Sequence, residues 1–153
     1  MDEREFDARI RLLTPRLYRV GRTLTRREAD LEDAAQEAVF KAWRHRHALR
    51  EERYFETWVI RILINECRRI GRRRGPEPLP EDVRADDPPS PDLGDALEHL
   101  DVRFRLPVTL HYIEGYPLED IARILNVPLG TVKRRLFTAR RRLKDALEGG
   151  EEA

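Results

Sequence analysis

The sequence predicts an all-α fold: two small helical domains joined by an acidic, proline-rich linker, the C-terminal one a helix-turn-helix. Three observations predict it. Apolar residues recur at spacings of three and four in both halves, and strand-type alternation never appears. Six prolines crowd into residues 76–91, between the periodic stretches. The charge also changes along the chain: residues 1–75 hold 19 basic and 13 acidic side chains, 76–95 hold 1 and 7, and 96–153 hold 10 and 9. The overall charge of +1 therefore hides a basic, then acidic, then mixed chain.

At 153 residues there is room for one ordinary domain or two small ones, and none for a large doubly wound enzyme fold. The middle block has almost no large apolar side chain, cannot offset its ordering entropy by burial, and reads as a flexible linker over 75–92. A helical domain over 1–74, a second over 93–147 and a frayed tail over 148–153 follow from that division. At such sizes one apolar core is marginal, so docking on a partner would supply part of the working rigidity. The lone Cys67 excludes an internal disulfide framework and Cys-based zinc sites, lies on an apolar stripe as an inert core thiol, and suits a reducing cytoplasm. Residues 1–9 carry four acidic side chains with no apolar run behind them. Neither a secretory signal nor a spanning helix of about 20 apolar residues is expected, which predicts a cytoplasmic protein with no membrane insertion.

The first helix is signalled by Phe6, Ile10, Leu13 and Leu17, and the second by Leu31, Ala34, Ala35, Ala38, Val39, Ala42 and Trp43. Phe55, Trp58, Val59, Ile62, Leu63, Cys67 and Ile70 mark a third, ending near Gly71. Phe55 and Trp58 belong to its core stripe, leaving Tyr54 as the exposed aromatic. In the second half, Leu93, Leu97 and Leu100 precede Phe104, Val108, Leu110 and Ile113, with a helix break expected before Pro107, which has no N–H to donate. Leu118, Ile121, Ala122 and Leu125 make a short helix, Asn126-Val127-Pro128 interrupts, and Val132, Leu136, Ala139, Leu143 and Leu147 form the stripe of a longer one. Two helices so joined form a candidate helix-turn-helix, a unit that serves either nucleic-acid reading or plain packing.

Charge separates those uses. Residues 133–147 carry seven basic side chains and one acidic one. Lys133, Arg134, Phe137, Arg140, Arg141 and Lys144 fall off the apolar stripe, so their heads can meet phosphates or base edges, and Thr131 can add a hydroxyl contact. The alternative is a solvated basic helix, or one paired with the acidic linker. Arg68, Arg69 and Arg72 to Arg74 form a second basic patch suited to phosphate. The charged loop with His45, Arg46, His47 and Arg50, ending at Tyr54, could line a pocket for an extruded base. Glu32, Asp33 and Glu37 on the outer face of the second helix suit a partner surface or solvent better than acid–base chemistry. With no His-Glu-x-x-His, no Cys pair and no phosphate loop, no catalytic residue, metal or cofactor is expected.

Particular strings carry a family likeness: Glu32-Asp33-Ala34-Ala35-Gln36-Glu37 with Phe40 and Trp43; residues 55–62 with Asn65; residues 112–116; Asp120-Ile121-Ala122; and residues 128–133, closing with Arg135-Leu136 and Ala139-Arg140. In these the chain resembles a bacterial sigma factor of the sigma-70 family, extracytoplasmic-function (ECF) subclass, over roughly residues 8–74 and 93–147. The resemblance implies a non-enzymatic promoter-specificity subunit whose partners are core RNA polymerase, promoter DNA and an anti-sigma factor. It implies that Asp33, Gln36 and Glu37 bind a coiled coil of the largest core subunit. His47, Arg50 and Tyr54 would form the minus-10 capture pocket, with Arg61, Asn65, Arg68 and Arg69 along the strand. Thr131, Lys133, Arg134, Arg135, Phe137, Arg140 and Arg141 would read the minus-35 duplex, and the linker would thread near the polymerase active centre. Arg134 stands where the family usually has a small hydroxyl residue, Thr138 where it has a basic one, and Ala48-Leu49 where an aromatic is frequent. A free-standing helix-turn-helix transcription factor and a polymerase-binding scaffold or anti-sigma-like protein are the competing readings.

Overall fold

A computed structural model of the protein describes residues 1–75 and 92–151, so the linker expected between them lies outside the described residues. Three helices, α1 (Glu3–Arg22), α2 (Glu28–Arg44) and α3 (Phe55–Arg74), form an N-terminal region. Asp2 caps α1 by accepting from the Glu5 N–H at 2.8 Å, and Glu3 and Glu5 in the first turn with Arg19 and Arg22 in the last complement the helix dipole. The predicted stripe of Phe6, Ile10, Leu13 and Leu17 is buried, as are Val59, Leu63 and Cys67 of α3. The Phe6 ring meets Trp43 and Phe55 edge-on at 5.1 and 5.6 Å. Ala34, Ala35, Ala38 and Ala42 let α2 lie close against its neighbours. At Gly21 the approach is tighter still: a Cβ there would stand 2.3 Å from the Leu31 Cδ1.

The third helix does not end near Gly71. It runs on through the arginines to Arg74 and stops at Gly75, whose φ of 73° only glycine adopts readily and which Pro76 follows.

The C-terminal region comprises α4 (Leu93–His99), α5 (Val102–Val108), α6 (Leu118–Leu125) and α7 (Leu129–Glu151). The expected break before Pro107 is corrected: α5 contains Pro107 and continues into a π-helical turn, Thr109–Ile113. The break sits earlier, at Leu100–Asp101, where Asp101 accepts from the Arg103 N–H at 2.9 Å. Leu106, Pro107 and Val108 are all buried, and this packing holds the helix across the missing N–H. The wide turn, closed by Glu114 N–H to the Thr109 carbonyl at 2.9 Å, then slips the register. Ile113, expected in the core, is 57% exposed, and Glu114 points inward in its place.

Between α6 and α7, Asn126 takes the left-handed conformation (φ 55°, ψ 50°), a helix stop that a short polar side chain tolerates. The final helix extends to Glu151, into the segment expected as a frayed tail. Buried apolar side chains of both regions form one continuous cluster, and the regions meet along α3 and α6. Among the described residues, no helix is long and apolar enough to cross a membrane.

Candidate polymerase and nucleic-acid interfaces

Burying Val132, Leu136 and Ala139 turns the opposite face of α7 outward. Lys133, Arg134, Phe137, Arg140 and Arg141 are exposed there, while Thr131 and Arg135 are half-buried. Arg134 donates to the Thr131 hydroxyl at 3.2 Å, Arg140 donates to the Tyr112 hydroxyl at 2.6 Å, and the Arg141 guanidinium lies 6.0 Å from the Phe137 ring centre. Among the described residues no carboxylate pairs with these five cations. Their charge is thus available for phosphate, with an exposed apolar ring between them for base edges.

A second face lies on the N-terminal region. His47 sits in a 3-10 turn, Arg46–Ala48, anchored by Arg46, which donates to the Trp43 carbonyl at 2.8 Å and stacks 3.6 Å from its ring centre. The following turn, Glu52–Tyr54, is tied to α1 by Arg9, whose guanidinium reaches the Glu52 carboxylate at 3.1 Å. Arg50 is exposed between the two turns, and Arg61, Asn65 and Arg68 are exposed at spacings of four and three on α3, hence on one face. Two of the expected residues are placed differently. Arg69 is half-buried and donates at 2.9 Å to the buried Glu66, which also accepts from Lys41. Burial acts most strongly on Glu66, raising its pKa, and the hydrogen bonds from Lys41 and Arg69 outweigh it to leave the value below the ordinary one. Tyr54, expected to be open, is half-buried between the guanidinium groups of Arg53 and Arg123, at 4.7 and 4.6 Å from its ring centre.

On α2, Asp33 and Gln36 are exposed and Glu37 is half-buried. Gln36 borders an open groove of about 960 Å³ between α1 and α2, lined by Phe6, Leu17, Tyr18, Val39, Phe40 and Trp43. Phe40 projects from it, 55% exposed. Cys67 is buried, and that burial, with Glu66 adding to it, pushes the thiol up to about 11. No group of three or more His, Cys, Asp or Glu among the described residues is placed to hold a metal.

One cluster has no counterpart in the sequence reading. Glu114, its side chain 1% exposed, accepts from Arg16 Nε at 3.1 Å and from Arg19 Nε and Nη2 at 2.9 and 2.8 Å. Arg16 also pairs with Glu56, which accepts from the Tyr116 hydroxyl at 2.7 Å. Arg16 and Arg19 stood three apart on the polar side of the first helix, and nothing local pointed them at a carboxylate some 95 residues away.

A helix-turn-helix whose long final helix turns a basic face outward, with a second cationic face on the three-helix region, is the arrangement of a nucleic-acid-binding protein. Residues 10–76 match Sigma-70 region 2 and residues 91–143 match Sigma-70, region 4. The ECF RNA polymerase sigma-E factor of Haemophilus influenzae is 30% identical over 142 residues, covering 78% of this chain and 75% of that protein. The RNA polymerase sigma-H factor of Pseudomonas aeruginosa is 33% identical, covering 78% and 74%. In fold the chain is similar to the sigma factor RpoE of Bartonella quintana, solved with the anti-sigma factor NepR, at a TM-score of 0.75 and 24% identity, covering 94% of this chain and 97% of that one. The chain belongs to the ECF sigma factors of the sigma-70 family, non-catalytic subunits that direct RNA polymerase to promoters.

Proposed function

We propose that the chain directs polymerase through two domains, 1–74 and 93–147, joined by the acidic linker, each reading one promoter element. The face of α7 with Thr131, Lys133, Arg134, Arg135, Phe137, Arg140 and Arg141 reads the minus-35 duplex. Its unpaired cations and the exposed Phe137 are the observation that carries this reading. His47, Arg50 and Tyr54, with the row Arg61, Asn65 and Arg68, capture the opened minus-10 strand. Arg69 acts through Glu66, holding α3 against α2 so that this row keeps its spacing. Asp33, Gln36 and Glu37 dock on core polymerase, with the neighbouring groove and Phe40 supplying apolar contact. The fold shared with a sigma factor solved in complex with NepR supports an anti-sigma factor as a further partner.

The test is run-off transcription with purified core polymerase on a pool of random promoters. Promoter-dependent transcripts are expected, and their loss in Lys133→Glu/Arg134→Glu. Tight sequence-specific DNA binding by the chain alone, with no transcript, would instead support a free-standing transcription factor.

A further inference from the structure

Tyr112 is 54% exposed yet held on two sides. Its hydroxyl accepts from Arg140 Nη1 at 2.6 Å, across 28 residues of chain. Behind it, the His111 ring meets the tyrosine ring edge-on at 4.8 Å. His111 is itself fixed, its Nδ1 standing 2.8 Å from the Tyr116 carbonyl; a carbonyl only accepts, so that nitrogen carries the proton. The π-helical turn sets up the arrangement. The slip that turns Glu114 inward leaves Tyr112 and Ile113 outside, with Tyr112 beside the basic face of α7.

We propose that Tyr112 is a positioning residue that aims Arg140 at one phosphate of the DNA backbone, so that the pair clamps the duplex while earlier turns of α7 read its bases. The assignment to duplex DNA rests on the proposed minus-35 role of α7. Lys133, Phe137 and Arg140 follow one another at spacings of four and three, so they share a face. Arg140 stands roughly three turns, about 16 Å, beyond Leu129 at the start of that helix. A reader helix meets base edges with its N-terminal residues, and at that distance a side chain meets the sugar–phosphate backbone instead. A phenol hydroxyl suits the task better than a carboxylate would. It takes one N–H of the guanidinium, cancels none of its charge, and leaves the rest of the fork for phosphate. It also fixes in advance a long side chain that would otherwise lose its freedom only on binding. Arg134 and Arg141 make contacts within α7, whereas Arg140 is held from another element.

The test uses the full chain assembled with core polymerase, on a promoter duplex taken from the random pool, with single backbone phosphates replaced one at a time by uncharged methylphosphonate. One upstream phosphate should matter to the wild type and not to Arg140→Ala. That variant should bind roughly ten-fold more weakly and reduce the salt slope by about one unit. Tyr112→Phe keeps the ring and the arginine's charge but loses the acceptor. It should weaken binding roughly 2- to 10-fold, blunt the response to that same phosphate alone, and add nothing once Arg140 is replaced by alanine. Base preference should be unchanged in both. Circular dichroism checks that these substitutions, at exposed positions, keep the helices. Tyr112→Phe binding like the wild type, losses that multiply in the double variant, or an altered base preference in Arg140→Ala would each overturn the clamp. Failure of the minus-35 reading looks different: Lys133→Glu/Arg134→Glu would then bind the promoter as tightly as the wild type, and the clamp would fall with it. A clamp that fails alone leaves that variant weak.

Discussion

Two buried glutamates, one in each region, are paired by two cations apiece and are built for opposite ends. Glu66 of α3 takes its partners from close by: Lys41 on the adjoining α2 and Arg69 one turn along its own helix. Glu114 takes both of its partners from the far region. The first carboxylate cannot leave its cations without unpacking α2 from α3. The second needs only the two regions to separate. The same local chemistry therefore gives an internal tie in one place and a tie between regions in the other, and what differs is which packing must break to let water in.

The largest effect should come from stripping Glu66 of its cations. Lys41→Ala/Arg69→Ala should lower stability by about 1–3 kcal/mol in chemical denaturation, kept to that range because both cations face water on one side. It should also speed labelling of Cys67, whose buried, raised thiol is otherwise protected at pH 8. The matching change around Glu114, Arg16→Ala/Arg19→Ala, should leave Cys67 as slow as in the wild type. Equal acceleration in both would mean that the two carboxylates do the same work.

Acid offers a milder way to separate them. Both folded pKa values are lowered: that of Glu114 chiefly by its hydrogen bonds from Arg19, working against burial, and that of Glu66 by Lys41 and Arg69 overcoming a larger burial effect. Each therefore contributes stability that is complete above the unfolded value of about 4.3 and is lost as pH falls through the folded value. Compactness by scattering should decline before helicity by circular dichroism, because protonating Glu114 frees the regions while protonating Glu66 leaves α2 packed on α3. Coincident transitions would erase the distinction. The smallest effect is expected from Tyr116→Phe, which removes the hydroxyl bond to Glu56 and should cost about 0.5–1.5 kcal/mol of the contact between regions, read as a lower salt midpoint for expansion in scattering.

The elements were legible where their residues repeat. Phe6 to Leu17 and Val132 to Ala139 are buried as their spacing predicts, because each helix packs one straight stripe on its core. The cationic face of α7 was legible for the same reason, being what that stripe leaves outside. Around Pro107 the reading failed because tertiary packing outweighed one absent hydrogen bond, and the π turn behind it exchanged Ile113 for Glu114 on the buried side. Arg69 reads as a phosphate ligand within a run of arginines; its pairing with Glu66 one turn back on α3 was open to i,i+3 reasoning, whereas the second cation on Glu66, Lys41, comes from α2 and shares no local pattern with it. The tie between regions was illegible, since Glu114 and its arginines share no local pattern.

The proposed division of promoter reading between the two faces is tested most directly by sequencing transcripts from a random promoter pool with two sets of variants. Changing Arg134, if it reads a base, should cost about 1–3 kcal/mol at one upstream position. It should leave the downstream element intact, while Arg61→Ala/Asn65→Ala should relax the downstream element alone. Loss of both elements together from either set of variants would contradict the account.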